Sequence, residues 1–147
     1  MYFTTKGELF IIEVNPRQGG HLIPQWILEH TGIDFTKLLV TTAVGDTEYL
    51  NSIKHVKPKN DYHTHHVVFS DYCGVFEKID INPAIEKYVT NVDYRKQRGD
   101  LVNPRTIARD RAIAYVTLEF PDRETQLAYS REQIETLICP IVKPAEE

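Results

Sequence analysis

The chain is poor in sulfur: among its 147 residues are two cysteines and one methionine. Cys73 and Cys139 cannot build a disulfide framework, and their spacing is not that of metal ligands. Free thiols in the cytoplasm are therefore the expectation. No apolar run nears the length needed to cross a bilayer, and the N-terminus lacks a signal-peptide pattern. No membrane partner is expected. An excess of basic charge is missing too. Seventeen Lys and Arg against 21 Asp and Glu give a net charge of −4, which argues against a nucleic-acid partner drawn by net charge. Internal repeats, low-complexity tracts and Ser-His-Asp or Cys-His patterns are absent as well. Hydrophobic residues, at 41%, suffice for a core, so the chain is one domain or a piece of a larger one.

What is present concentrates near the start, in residues 11–20. Ile11-Ile12-Glu13-Val14-Asn15-Pro16-Arg17-Gln18-Gly19-Gly20 opens as an apolar strand and closes as a loop. In an extended chain every second side chain shares a face, and the residue before a proline avoids the helical region. Glu13, Asn15 and Arg17 are thus expected to converge. Glu13 and Asn15 offer the hard oxygen donors that Mg²⁺ prefers. Arg17 offers a planar fork for phosphate or carboxylate. Gly19 and Gly20 let backbone approach a ligand closely. A metal–phosphate site is one reading; a strand end followed by a surface turn is the other.

Glu13-x-Asn15-x-Arg17, with the glycine pair and the helix expected after it, resembles the Glu-x-Asn-x-Arg signature of ATP-grasp ligases. The branch it most resembles joins a carboxylate to an amine, as amino-acid ligases do. Similarity to biotin carboxylase is more distant, because the lysine often found in the family's late strand is absent and Tyr115 or a neighbour stands there. The resemblance implies an α+β fold, the C-terminal part of an ATP-grasp fold with mostly antiparallel sheet and packed helices. It implies Glu13 and Asn15 as ligands of Mg²⁺ or Mn²⁺, and Arg17 as the catalytic group on the transferring phosphoryl. Gly19, Gly20 and His21 would contact substrate or phosphate, and Arg111 could face the active site, although pairing with Asp110 is an equal alternative.

The rest of the chain divides at about residue 60. Residues 1–60 read as the C-terminal part of the catalytic domain, and 61–147 as a C-terminal α+β subdomain. Strands at 1–5 and 8–14 flank a turn at Lys6-Gly7. If those two residues are central to a two-residue turn, Phe3 pairs with Phe10, and Glu13 faces a position just before Met1. Helices are expected at 21–30, with Pro24 in the first turn and Gly32 after the end, and at 35–44, capped by Asp34. Residues 47–55 add a further helical turn. A strand at 65–70 carries histidines at its exposed beginning and turns through Asp71–Gly74 into a hairpin. His63 and His65 share a face and His66 points away, so a metal there would need another donor such as His55 or Asp71. A plain strand is the preferred reading. Cys73 is expected to be a small packed side chain. Asn82 caps a short helix, 89–94 and 112–120 are strands, and 123–138 is one helix with Leu127, Ile134, Leu137 and Ile138 as its apolar stripe. Arg95, Lys96 and Arg98 form a basic cluster, more simply a solvated loop than a phosphate site.

The functional expectation is the C-terminal fragment of an ATP-dependent carboxylate–amine ligase working through an acyl phosphate. Its partners in the complete enzyme would be ATP and small carboxylate and amine substrates. It is expected to be inactive without the nucleotide-binding half. The alternative is a stand-alone, non-catalytic binding or assembly domain, in which an apolar face left by the missing half favours homo-oligomers.

Overall fold

The computed structural model describes residues 2–3, 5, 7–10, 18–54, 56, 62–104 and 112–145. The chain forms two compact units, Met1–Lys57 and Pro58–Glu147. It is α+β, with antiparallel sheets and short helices.

In the first unit, β1 (Tyr2–Phe3) pairs antiparallel with β2 (Leu9–Phe10). The register corrects the expected one. Phe3 faces Leu9 and Tyr2 faces Phe10, one residue away from a two-residue turn at Lys6-Gly7. Gly7 between the two strands has φ 78°, a left-handed conformation that favours glycine. The position assigned opposite Glu13 thereby loses its premise, and Glu13 itself lies outside the described residues.

Three helices follow. α1 (Ile23–Thr31) starts two residues later than expected, with Pro24 in its first turn. It ends at Gly32, whose φ of 76° lets its N–H return to the Leu28 carbonyl at 2.8 Å. That left-handed cap is favourable only without a Cβ. α2 (Phe35–Ala43) is capped by Asp34, whose carboxylate accepts the Lys37 N–H at 2.9 Å. α3 (Glu48–Ser52) locks onto this cap: the Asp34 N–H donates to the Tyr49 hydroxyl at 2.7 Å, and the Lys37 ammonium sits 4.6 Å from the Tyr49 ring centre. No residue of α1, α2 or α3 is fully buried.

The second unit holds the core. Its strands are β3 (His63–Val68), β4 (Gly74–Ile81), β5 (Val89–Tyr94), β6 (Leu101–Val102), β7 (Ala114–Glu119) and β8 (Ile138–Lys143). They form two three-stranded antiparallel sheets, ordered β3-β7-β5 and β6-β4-β8. β7 lies between β3 and β5, which is why it reads as a continuous apolar run; five of its six residues are buried. Phe76, Ile85, Ile113, Leu118, Phe120 and Ile138 are the largest apolar side chains buried there. Phe120 is the aromatic hub, 4.9 Å from Tyr88 and 5.6 Å from Tyr129 between ring centres.

Three expectations are corrected in this unit. β3 and β4 are not a hairpin, since β3 pairs with β7 and β4 with β6 and β8, so residues 69–73 carry the chain from one sheet to the other. The expected single helix at 123–138 is two, α5 (Arg123–Leu127) and α6 (Arg131–Leu137). Ser130 restarts the helix with a capping box, exchanging hydrogen bonds with Gln133, and so Leu127 leaves the stripe and is 68% exposed. Cys73 is exposed, its thiol 3.8 Å from the Asn103 side-chain oxygen. Pro140 belongs to β8, an outer strand of its sheet, where a missing N–H is tolerated. The remaining short helix, α4 (Pro83–Glu86), has the expected Asn82 cap, which accepts the Ala84 N–H at 2.9 Å.

Candidate functional site

Of the residues expected to form the metal–phosphate site, Glu13, Asn15, Arg17 and Arg111 lie outside the described residues. Gly19, Gly20 and His21 are described, and they lead directly into the N-terminal end of α1. A Cβ on Gly20 would meet nothing within 4 Å, and one on Gly19 would make ordinary contact with Ile23 at 3.5 Å. Open space therefore lies beside the Gly20 backbone, while Ile23 packs beside Gly19. The following turn is the unusual part. His21 and Leu22 both have positive φ, 57° and 59°. For side chains other than glycine this region costs about 1–3 kcal/mol each, and such residues cluster at ligand sites.

The same turn aims the start of α1 toward the glycines. The Ile23 N–H reaches back to the Gly20 carbonyl at 3.2 Å. No side chain caps this end and no acidic residue stands in its first turn. The positive end of the helix dipole is therefore not met by a carboxylate of the helix itself, an arrangement suited to an anion. Gln18 ties the loop to α2, its amide donating to the Thr36 hydroxyl at 3.2 Å. Gln18, Gly19, Leu22, Pro24 and Thr36 line an open cleft of about 410 Å³, large enough for a small substrate.

The histidines of β3 form a separate environment in the second unit. His66 is buried at 9% exposure, on the same side of the strand as Val68, which corrects the expected exposed beginning. Burial holds its imidazole below the ordinary value of 6.5; Arg131 and His65 push the same way and Glu135 opposes them. His66 and Glu135 both line two clefts, of about 210 and 530 Å³. His65 faces the other way and stacks on Tyr115, 5.6 Å between ring centres. Among the described residues, no three His, Cys, Asp or Glu side chains are grouped to hold a metal; His55 lies outside them.

Two residues of the basic cluster are engaged elsewhere. Arg98 and Lys143 both reach the Glu77 carboxylate, at 3.7 and 2.7 Å, and the Lys143 hydrogen bond is the main reason that Glu77 ionises more readily than usual. The Arg95 guanidinium lies 5.8 Å from the Tyr115 ring centre. What sequence reasoning missed is the strained His21-Leu22 turn. Gly-Gly signals a turn, but nothing in a His-Leu pair announces two left-handed residues.

No protein-family model matches the chain, and no curated protein sequence matches it. Solved structures do share its fold. An L-amino acid ligase from Bacillus licheniformis superposes with a TM-score of 0.63 at 20% identity, over 96% of this chain and 36% of that one. A phosphoribosylglycinamide synthetase from Anaerococcus prevotii superposes with a TM-score of 0.59 at 16% identity, over 95% of this chain and 35% of its own. The chain thus spans about a third of the length of either protein. At these identities the likeness is one of fold.

Proposed function

We propose, from the premise that this chain has the fold of part of an ATP-grasp enzyme, that it is the C-terminal portion of an ATP-dependent carboxylate–amine ligase. The observation that carries this reading is the superposition of nearly the whole chain on two ligases of that fold, together with Glu13-x-Asn15-x-Arg17-x-Gly19-Gly20 in its sequence. The donor set fits the group the fold implies: one carboxylate and one amide oxygen are hard ligands for Mg²⁺ or Mn²⁺. Glu13 and Asn15 would hold the metal, whose contribution is neutralisation of charge on phosphate oxygens. Arg17 would bind phosphoryl oxygens through its fork. Gly19, Gly20 and His21, with the N-terminal end of α1, would hold the anionic end of a substrate.

Residues 1–60 belong in this reading to the catalytic domain and 61–147 to its C-terminal subdomain, in the cytoplasm. The complete enzyme would take ATP, a small carboxylate and a small amine, and this portion alone would be inactive. Titration calorimetry with Mg-ATP tests the last point: heat of micromolar binding by this chain alone overturns it. The coding DNA upstream of the Met1 codon tests the assignment itself. An in-frame nucleotide-binding region is expected there, and an unrelated reading frame counts against it.

A second reading, a non-catalytic assembly domain with the same fold, is favoured by one observation: Leu39, Val40 and Val44 are substantially exposed on and just after α2. Light scattering separates the two readings, since only the second requires self-association.

A further inference from the structure

His66 is a polar side chain that the second unit encloses without pairing. The parity of β3 sets it on the buried side of the strand with Val68, and it is only 9% exposed. No hydrogen bond joins its ring to another described residue; burial and the charges of Glu135, Arg131 and His65 are what act on it. Buried polar groups are as a rule hydrogen-bonded, so an imidazole of this kind lining a cavity points to a ligand. The smaller of its two clefts, about 210 Å³, is also lined by Glu135 of α6 and by Asp71. Ser70 fixes the turn that carries Asp71: its hydroxyl donates to the Tyr72 carbonyl at 2.7 Å and accepts the Tyr72 N–H at 3.0 Å. Val68, Ile138 and Pro140 supply apolar wall. Among the described residues that line this cleft there is no Lys or Arg. Arg131, paired with Glu135 at 2.9 Å, lines the larger cleft instead. The Cys139 thiol is in the wall too, but it donates to the Glu135 and Thr136 carbonyls at 3.1 and 3.2 Å, and burial pushes its pKa up, so it is not poised as a nucleophile.

We propose that this cleft is a binding site for a small organic amine in its ammonium form, held by His66 and Glu135. Two carboxylates and an imidazole, with no cation beside them in the smaller cleft, favour positive charge and repel an anion. A metal ion is a poorer fit, because among the described residues no three His, Cys, Asp or Glu side chains are grouped to hold one. An apolar molecule would leave His66 without a partner, at the cost of its desolvation. An ammonium group brings three N–H donors. One meets the Glu135 carboxylate and another the acceptor nitrogen of the neutral imidazole, while Asp71 adds charge at the rim. The apolar wall receives the carbon chain, which selects an organic amine over an inorganic cation. The site lies within the second unit and does not rest on the ligase reading.

NMR of the isotope-labelled full chain, titrated with n-butylammonium, tests the proposal. Saturable shifts of the His66 ring and of the Ser70, Asp71 and Glu135 amides are expected at about millimolar amine. Butyrate and 1-butanol, of similar size, are expected to bind at least about tenfold more weakly. Glu135→Gln and His66→Phe should each weaken the amine about tenfold, with the amide pattern of β7 unchanged. Butyrate binding as tightly as the amine overturns the charge argument, and 1-butanol doing so overturns the need for an ammonium. No saturable shift of the His66 ring, or shifts confined to Gly19, Gly20 and His21, overturns the site itself. These comparisons use the unaltered chain, so they decide the matter even if His66→Phe fails to fold.

Discussion

The two units bury their apolar residues to very different degrees. In Pro58–Glu147, β7 is sandwiched between two strands and Ile113, Val116 and Leu118 are fully inaccessible. In Met1–Lys57, the three helices have clear caps and a Tyr49 that ties two of them together, yet none of their residues is fully buried. Local signals are good in both, and among the described residues only the second unit shows a buried core. Helix stability in proteins comes mainly from packing rather than from propensity. The first unit is therefore the weaker folding unit, and it is the one that carries the candidate site. Binding regions are commonly drawn from the low-stability end of a structure.

Native-state hydrogen exchange should show this contrast most strongly. Amides of β7 are expected to exchange about a thousandfold more slowly than those of α1 and α2. Equal protection in both units would break the comparison. Next in size is Phe120→Ala, which removes the ring between Tyr88 and Tyr129. It should cost about 3–5 kcal/mol in urea unfolding of the second unit. Leu28→Ala in α1, at 40% exposure, should cost under about 1 kcal/mol; similar costs would mean that the helical unit has a core after all. Gly74→Ala probes the packing between β4 and β8. A Cβ there would run into the Lys143 carbonyl and approach the Val142 side chain to 2.6 Å. The expected loss is about 1–3 kcal/mol, and an unchanged midpoint would show that β8 can move away. Ser130→Ala removes the cap that separates α5 from α6 and should cost about 1 kcal/mol.

The smallest effect is the dependence on pH. His66 in the folded unit resists a proton because it is buried, while in the unfolded chain it titrates near 6.5. Its contribution to stability is present above that value. It is lost as pH falls from about 6.5 through the lower folded value, because the unfolded chain then binds more protons. Glu135 partly offsets the loss by favouring the protonated ring. His66→Gln should flatten unfolding midpoints measured between neutral and mildly acid pH. An unaltered slope would assign the acid sensitivity to other groups.

Much of this architecture was legible from local chemistry. Asp34 and Asn82 announce helices through side chains that can accept an N–H two or three residues on, and they do so here. The strand at 89–94 and the apolar run through β7 are legible from alternation and from length. Strand partners were not. Asp71–Gly74 reads as a hairpin turn, but the choice between a hairpin and a change of sheet depends on residues tens of positions away, here the β7 and β8 segments. The break at Ser130 is hidden in the sequence because an apolar stripe can run through two helices as readily as through one. The burial of His66 follows from the parity of β3, which puts it beside Val68 rather than beside His65, and parity is set by the partner strand. As for the candidate site, the proposed donors Glu13 and Asn15 stand out as a motif, whereas the left-handed pair at His21-Leu22 is a backbone property with no side-chain signature.

Manganese relaxation measured by amide NMR tests the metal–phosphate assignment most directly. Mn²⁺ titrated into the isotope-labelled chain is expected to broaden the Gly19, Gly20 and His21 amide signals first, and Glu13→Gln with Asn15→Ala is expected to abolish that broadening. Broadening confined to the His63–His66 strand, or broadening around Gly19 that survives both substitutions, would contradict the account.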